Sequence, residues 1–207
     1  MRYKDTLENL LAQKSKLKIL RLLFKGAIER TGREIARSIR MDHKTCHRAL
    51  RELAQQGVVI VTHTGGGDLY KLNTRNLLVR KILNPLFETE KNLLRTMAKL
   101  LVKRLGFPIT SIILFGSTAK GLDRPTSDVD VLILIPQSKR KKEAEDRLNQ
   151  IEFNFIAEFG NMLSPIVLPV SEFSRRYKKG DKLLREILRT GEVIAGKSIE
   201  EVRRLGR

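Results

Sequence analysis

The stretch LFGSTAKGLDRPTSDVDVLILI, residues 114–135, decides how the second half of this 207-residue chain is read. Asp128 and Asp130 stand one valine apart at the mouth of a run of aliphatics that stops at Pro136. From Val129 onward the run is too short for a buried helix and too uniformly apolar for a half-solvated strand, so it reads as a strand covered on both faces. The isoleucine-rich segment at 109–115, ending at Gly116-Ser117, reads as a second covered strand. Positions two apart on a strand face the same way, so Asp128 and Asp130 project together while Val129 and Val131 project to the other side.

Two carboxylates held so close repel, which raises one pKa unless a cation lies between them. Mg2+ suits the place, because it prefers hard oxygen ligands and often takes one or two carboxylates together with substrate phosphates. Gly116 lets the backbone approach a phosphate with no side chain in the way, and Ser117 offers an amide and a hydroxyl to its oxygens. Taken singly, a Gly-Ser turn or a loop aspartate means little. At this spacing, on two strands, the pair reads as a nucleotide and metal site.

Outward from there, the stripe Ala144, Leu148, Ile151, Phe155 and Phe159 marks an inward helix face over 141–159. A strand is expected at 166–170 and a helix at 183–188, which makes the back of the chain α/β. Towards the front, Leu93, Leu94, Met97, Leu100, Leu101 and Leu105 describe one amphipathic helix, with Pro85 in its first turn. That helix is compatible with packing on its own domain, spanning two domains or forming a dimer seam.

The first third reads as helix, helix, helix, hairpin. Thr31 with Glu34 three residues on is a capping-box signature, and Asp42 can cap the next helix. In that helix Cys46, Ala49, Leu50 and Leu53 recur at three- and four-residue steps, leaving His43, Lys44, His47, Arg48 and Arg51 on the other side. Gly57 suits a left-handed cap, and two short strands follow, joined by Gly65-Gly66-Gly67-Asp68. His43 and His47, four apart on one face, have metal-ligand spacing but no evident third ligand, so polar contact is the better reading.

Composition bounds the partners. With 41 Lys and Arg against 23 Asp and Glu, a net charge of +18, the chain suits a polyanion, since neutralising phosphates releases counterions. The excess is denser over residues 1–80. Cys46 is the single cysteine, which excludes an internal disulfide and a cysteine-based zinc cluster. No apolar stretch approaches a membrane span and the N-terminus lacks a signal-peptide core, so a cytoplasmic protein without membrane contact is expected.

Two family resemblances follow from these residues. The order of elements, with IARSIRMDHKTCHRALRELAQQGVVIVT, resembles the winged helix-turn-helix domain of bacterial and archaeal transcription regulators over residues 5–75. That resemblance implies base-edge contacts to double-stranded DNA from His43, Lys44, His47 and Arg48, with Arg51, His63 and Lys71 on phosphates. Homodimers are common among such regulators, and one is expected here.

Gly116-Ser117, ten further residues and Asp128-Val129-Asp130 resemble the signature of the DNA polymerase beta-like nucleotidyltransferases, particularly the minimal nucleotidyltransferases, over residues 107–196. The resemblance implies that Asp128 and Asp130 bind catalytic Mg2+ and that Gly116 and Ser117 hold the phosphates of a nucleoside triphosphate, ATP first. GSTAKG departs from the common GSxARG by placing Lys120 where an arginine stands, which keeps the charge but not the bidentate fork. A third carboxylate expected on a later strand is missing from SPIVLPVSEF, and Glu172 just beyond reads better as a surface residue.

Together these readings give a two-domain α+β and α/β protein: a winged helix over 1–80, a connecting helix over 81–106 and a nucleotidyltransferase-like mixed sheet over 107–207. Two functions compete. One is transfer of a nucleoside monophosphate to a protein or other hydroxyl acceptor, a toxin-like partner included by resemblance. The other is a regulator whose second domain binds nucleotide or a partner without turnover.

Overall fold

The computed structural model describes residues 6–26, 28–122 and 124–206. It separates into two compact units, residues 1–91 and 92–207.

In the front unit, α1 (Thr6–Leu11) and α2 (Lys14–Phe24) precede a two-residue strand, β1 (Arg30–Thr31), then α3 (Gly32–Ser38) and α4 (His43–Gln55). The hairpin β2 (Val59–Thr64) and β3 (Gly67–Leu72) completes it. The capping box forms as its spacing predicts: Glu34 N–H donates to Thr31 Oγ1 at 3.2 Å, and Thr31 N–H donates to Glu34 Oε2 at 2.7 Å. Asp42 caps α4 by accepting from Thr45 N–H at 2.9 Å.

The apolar side of α4, with Cys46, Ala49, Leu50 and Leu53, packs with Ile19, Leu20, Leu23 and Ile35 in one buried cluster. Each leucine or isoleucine of that cluster contributes about 1.5–3 kcal/mol by leaving water. Lys16 is buried in the same unit, its ammonium 2.8 Å from Glu52 and donating to the Asn9 carbonyl at 2.6 Å. Gly57 takes φ +73 just past α4, as its left-handed role requires.

Three details differ from expectation, the first being α1, a short helix ahead of the three expected. The hairpin turn is tighter, with Thr64 registered on Gly67, so only Gly65-Gly66 lie between the strands. β1 adds a third strand, in the order β1-β3-β2, through Arg30↔Tyr70 and Thr31↔Leu69. A two-residue strand carries no periodicity of its own, so only pairing reveals it.

Beyond a π-helical turn over Val79–Leu83, α5 (Asn84–Leu105) crosses the boundary between the units. In the back unit β4 (Ser111–Leu114), β5 (Val129–Ile135), β6 (Leu163–Pro169) and β7 (Glu192–Gly196) form one sheet in the order β6-β5-β4-β7. β5 and β6 run parallel and the other pairs are antiparallel. Alternation along β5 splits its side chains between two cores. Val129, Val131, Ile133 and Ile135 join Met97, Leu101 and Leu105 of α5 and the inward stripe of α7 (Lys141–Phe159). Leu132 and Leu134 meet α8 (Val170–Lys178), α9 (Lys182–Thr190) and α10 (Ile199–Leu205) through Phe173, Leu184, Ile187, Leu188 and Val202. Both faces of β5 are therefore covered, as its continuous aliphatic run predicts.

α8, β7 and α10 escape a periodicity reading. β7 is a short strand between Gly191 and Gly196, bulged against β4 and exposed or half-buried throughout. Among the described residues, no helix is long and apolar enough to cross a membrane.

Candidate functional site

The end of the sheet where β4 leaves and β5 enters gathers the predicted nucleotide and metal residues. Leu114 is registered with Val131, and Phe115 N–H donates to the Asp130 carbonyl at 2.9 Å, so the chain turns immediately beside Asp130. Gly116 makes that turn with φ +72, a conformation L side chains resist. A Cβ at Gly116 would overlap Asp130 Oδ2 and stand 3.1 Å from its Cγ. Glycine is therefore demanded twice, by the backbone angle and by the carboxylate. The short helix α6 (Gly116–Ala119) follows, and Lys120 closes it.

Asp128 is exposed at the end of the loop that enters β5, and Asp130 is half-buried as the second residue of the strand. Asn161 anchors that loop, its Nδ2 donating to the carbonyls of Pro125 at 3.0 Å and Ser127 at 2.9 Å. Val129 N–H donates to the Met162 carbonyl at 2.8 Å. Asp128 thus hangs from a held loop.

Burial raises the pKa of Asp130, the charge of Asp128 raises it further, and a hydrogen bond from the Ser164 hydroxyl opposes both. Ser164 occupies the position on β6 registered with Asp130. The strand neighbour of Asp130 is accordingly a hydroxyl and not an acid. Glu172 lies past the far end of β6: Pro169 is registered with Ile135, five strand positions or roughly 16 Å beyond Asp130. Its oxygens face Lys141 at 3.1 Å and Arg176 at 4.0 Å. It is a surface ion-pair residue remote from the aspartates.

Lys120 Nζ stands 3.3 Å from Glu186 Oε1 on α9, and Glu186 Oε2 accepts from Arg189 Nη2 at 2.6 Å and Nε at 3.0 Å. Arg189 in the first place, and Lys120 after it, hold the Glu186 carboxyl below its ordinary range. Asn161, Ser164, Glu186 and Arg189 are absent from the sequence reading, because their relevance comes from register and packing. Among the described residues, no group of three His, Cys, Asp or Glu side chains could hold a metal ion. The two aspartates, hard oxygen donors whose charges repel, still fit a divalent cation that completes its shell from phosphate and water.

In the front unit His43, Lys44, Arg48 and Arg51 are exposed along α4 and His47 is half-buried. The rings of His43 and His47 lie 6.2 Å apart. A surface cavity lined by Gly32, His43, His47, Gly67, Asp68 and Tyr70 lies where α4 begins beside the hairpin. The hairpin residues are each engaged by an acid: His63 Nδ1 lies 2.6 Å from Asp68 Oδ1, and Lys71 Nζ lies 2.6 Å from Glu29 Oε1.

Comparison with known proteins gives one match whose position lies in the back unit. The family model for the nucleotidyltransferase domain matches residues 94–190, a little under half of the chain. A Methanocaldococcus jannaschii protein named a protein adenylyltransferase is 36% identical over 73 residues. That match takes in 35% of this chain and spans half the length of the relative, 50%. A solved toxin–antitoxin structure with AMP-PNP is similar at a TM-score of 0.34 and 14% identity, over 54% of this chain and 80% of that one. The C-terminal part of the chain, at residues 94–190, thus carries a nucleotidyltransferase domain.

Proposed function

We propose that this chain transfers a nucleoside monophosphate, adenylate first, from a Mg2+-bound triphosphate to a hydroxyl of a partner protein. The observation that carries the reading is the contact of the Gly116 turn with Asp130. It sets side-chain-free backbone directly against Asp130, whose charge is disfavoured by burial and by Asp128 and would be stabilised by a cation. The name of the M. jannaschii relative supports adenylate and a protein acceptor.

In this reading the acceptor oxygen forms a bond to the α-phosphorus as the bond from that phosphorus to the β-phosphate oxygen breaks. The hydroxyl proton passes to solvent water, and pyrophosphate leaves with the bridging oxygen. Asp128 and Asp130 hold the divalent ion, Gly116 and Ser117 present backbone amides and a hydroxyl to the phosphates, and Lys120 adds a positive charge. The ion, when bound, neutralises charge developing on the phosphates. The front unit acts as a winged helix on duplex DNA, with the exposed cations of α4 towards base edges and the hairpin beside the backbone.

Incubation with MgCl2 and α-labelled ATP, alone and with the proteins encoded beside it, tests the transfer. Label should appear on a protein and vanish in the Asp128→Ala/Asp130→Ala double variant. Label that survives the double variant sinks the assignment.

A second reading has its own support in Ser164. With a hydroxyl registered on Asp130, no strand carboxylate is placed there to take the acceptor proton. The same residues then bind nucleotide without transfer, and the domain serves a DNA-bound regulator. Tight ATP binding with no label on any protein selects it.

A further inference from the structure

Glu186 divides its two oxygens between cations from different elements. Oε1 faces Lys120, at the end of the Gly-Ser turn and 66 positions earlier, while Oε2 takes both donors of the Arg189 fork. The elements place this trio at the aspartate end of the sheet. α9 packs Leu184, Ile187 and Leu188 on the face that holds Ile113 and Leu132, and strand alternation puts Asp130 on that same face. α9 then runs into β7, whose Glu192 is registered with Leu114, two residues before Gly116. Lys120 follows Gly116 by four helical positions, about 6 Å along the axis of α6.

All three side chains are well exposed, from 41% for Glu186 and 43% for Lys120 to 71% for Arg189, so the bridge adds little to stability. What it does provide is one anion held between an ammonium and a bidentate guanidinium, an arrangement suited to phosphate. A polyphosphate carries more charge and more acceptor oxygens than a single carboxylate, and it can displace a contact this weak.

We infer that Arg189 is a second phosphate-binding residue beside Lys120, and that Glu186 is an internal competitor that a nucleotide's phosphates replace. The inference rests on reading Gly116, Asp128 and Asp130 as the nucleotide site, and extends it to α9. It assigns a fork to a site whose turn carries lysine. It also makes nucleotide affinity a balance between an internal carboxylate and an incoming phosphate.

The test is a titration of the full chain with a fluorescent ATP analogue in MgCl2, with circular dichroism melts to establish that each variant is folded. Glu186→Gln should tighten binding about threefold by removing the competitor. Arg189→Ala should weaken it about tenfold, and Arg189→Lys should fall between. Adenosine, which has no phosphate, should bind Arg189→Ala and the parent equally. A purely structural bridge predicts shifts of the same sign for Glu186→Gln and Arg189→Ala, and that result, or no shift in either, overturns the inference. Asp128→Asn/Asp130→Asn separates the two readings: if it abolishes ATP binding while the α9 variants share a sign, the site stands and only the role of α9 falls. If the double variant binds as the parent does, or the parent binds none of the four nucleoside triphosphates, both fall.

Discussion

The two units build their candidate sites in opposite ways. In the front unit, five of the seven residues expected on DNA lie within α4 and the other two on the adjoining hairpin, five of them exposed and His47 and Lys71 half-buried. In the back unit the β4–α6 turn, the loop held by Asn161, β5 and β6 converge on one half-buried carboxylate. A helix face in water keeps its shape when one side chain is cut, since caps and core hold it from behind. A convergent site depends on each approach, and one added methyl group at Gly116 meets Asp130 directly. The first arrangement suits a partner gripped by many small contacts, and the second suits a small charged ligand held at one point.

The widest test of that contrast is Gly116→Ala. Strain at φ +72 and overlap with Asp130 should together lower affinity for the ATP analogue by about 30-fold or more, roughly 2 kcal/mol, with duplex DNA binding unchanged. Equal affinity would show that the turn is not part of a nucleotide site. The front unit has one convergent point of its own, the buried Lys16 ammonium beside Glu52. Glu52→Gln takes away the charge opposite that buried ammonium, leaving it neutral acceptors, and should cost about 2 kcal/mol in urea unfolding of the front unit. Nucleotide affinity should not move.

The exposed face should respond more mildly. Arg48→Ala should weaken binding to a duplex selected from random DNA by about 1–2 kcal/mol, and Arg51→Ala should lower the slope of log affinity against log salt by about one. Fluorescence anisotropy at several salt concentrations reads both. Smaller again, Asp130→Asn removes the cost of burying a charge and the lesser repulsion from Asp128, and should raise melting stability in EDTA by less than about 1 kcal/mol. The same change should abolish any stabilisation by Mg2+, which reverses the order of the two proteins once the ion is added.

At neutral pH the least effect is expected at Cys46. Burial pushes its thiol from the ordinary 9.0 up to about 11. The folded pKa lies above the unfolded one, so the stability tied to the neutral thiol is complete below pH 9 and drains away as pH rises towards 11. Iodoacetamide should label Cys46 in the native protein at pH 8 only as fast as the front unit opens. Rapid native labelling would contradict its burial.

Much of the local structure was legible in the chain. β5 and α7 match their expected bounds, because a covered strand and an amphipathic helix each impose a strong period on their residues. The caps at Thr31 and Asp42 form where the residue types require. β6 starts three residues before the expected 166, at Leu163, because Ser164 and Pro165 interrupt the aliphatic run where pairing with β5 nonetheless makes a strand. β1 and β7 are likewise strands by partnership more than by composition. Asp128 and Asp130 announced themselves through their spacing, whereas Glu186 and Arg189 look like ordinary surface charges until α9 is folded against the sheet.

Taken alone, then, the sequence determined what neighbours within a few positions control: helix caps, the aliphatic strand, the glycine turn and the paired aspartates. Each of these is written in short-range backbone preference and side-chain periodicity. Tertiary structure alone decided that Gly116 abuts Asp130, that a hydroxyl at Ser164 and no acid stands in register beside it, and that Lys120 meets Glu186 from 66 positions away. The reason is physical. Strand register and helix packing set distances between residues that have no local influence on one another, and electrostatics depends on those distances rather than on order along the chain.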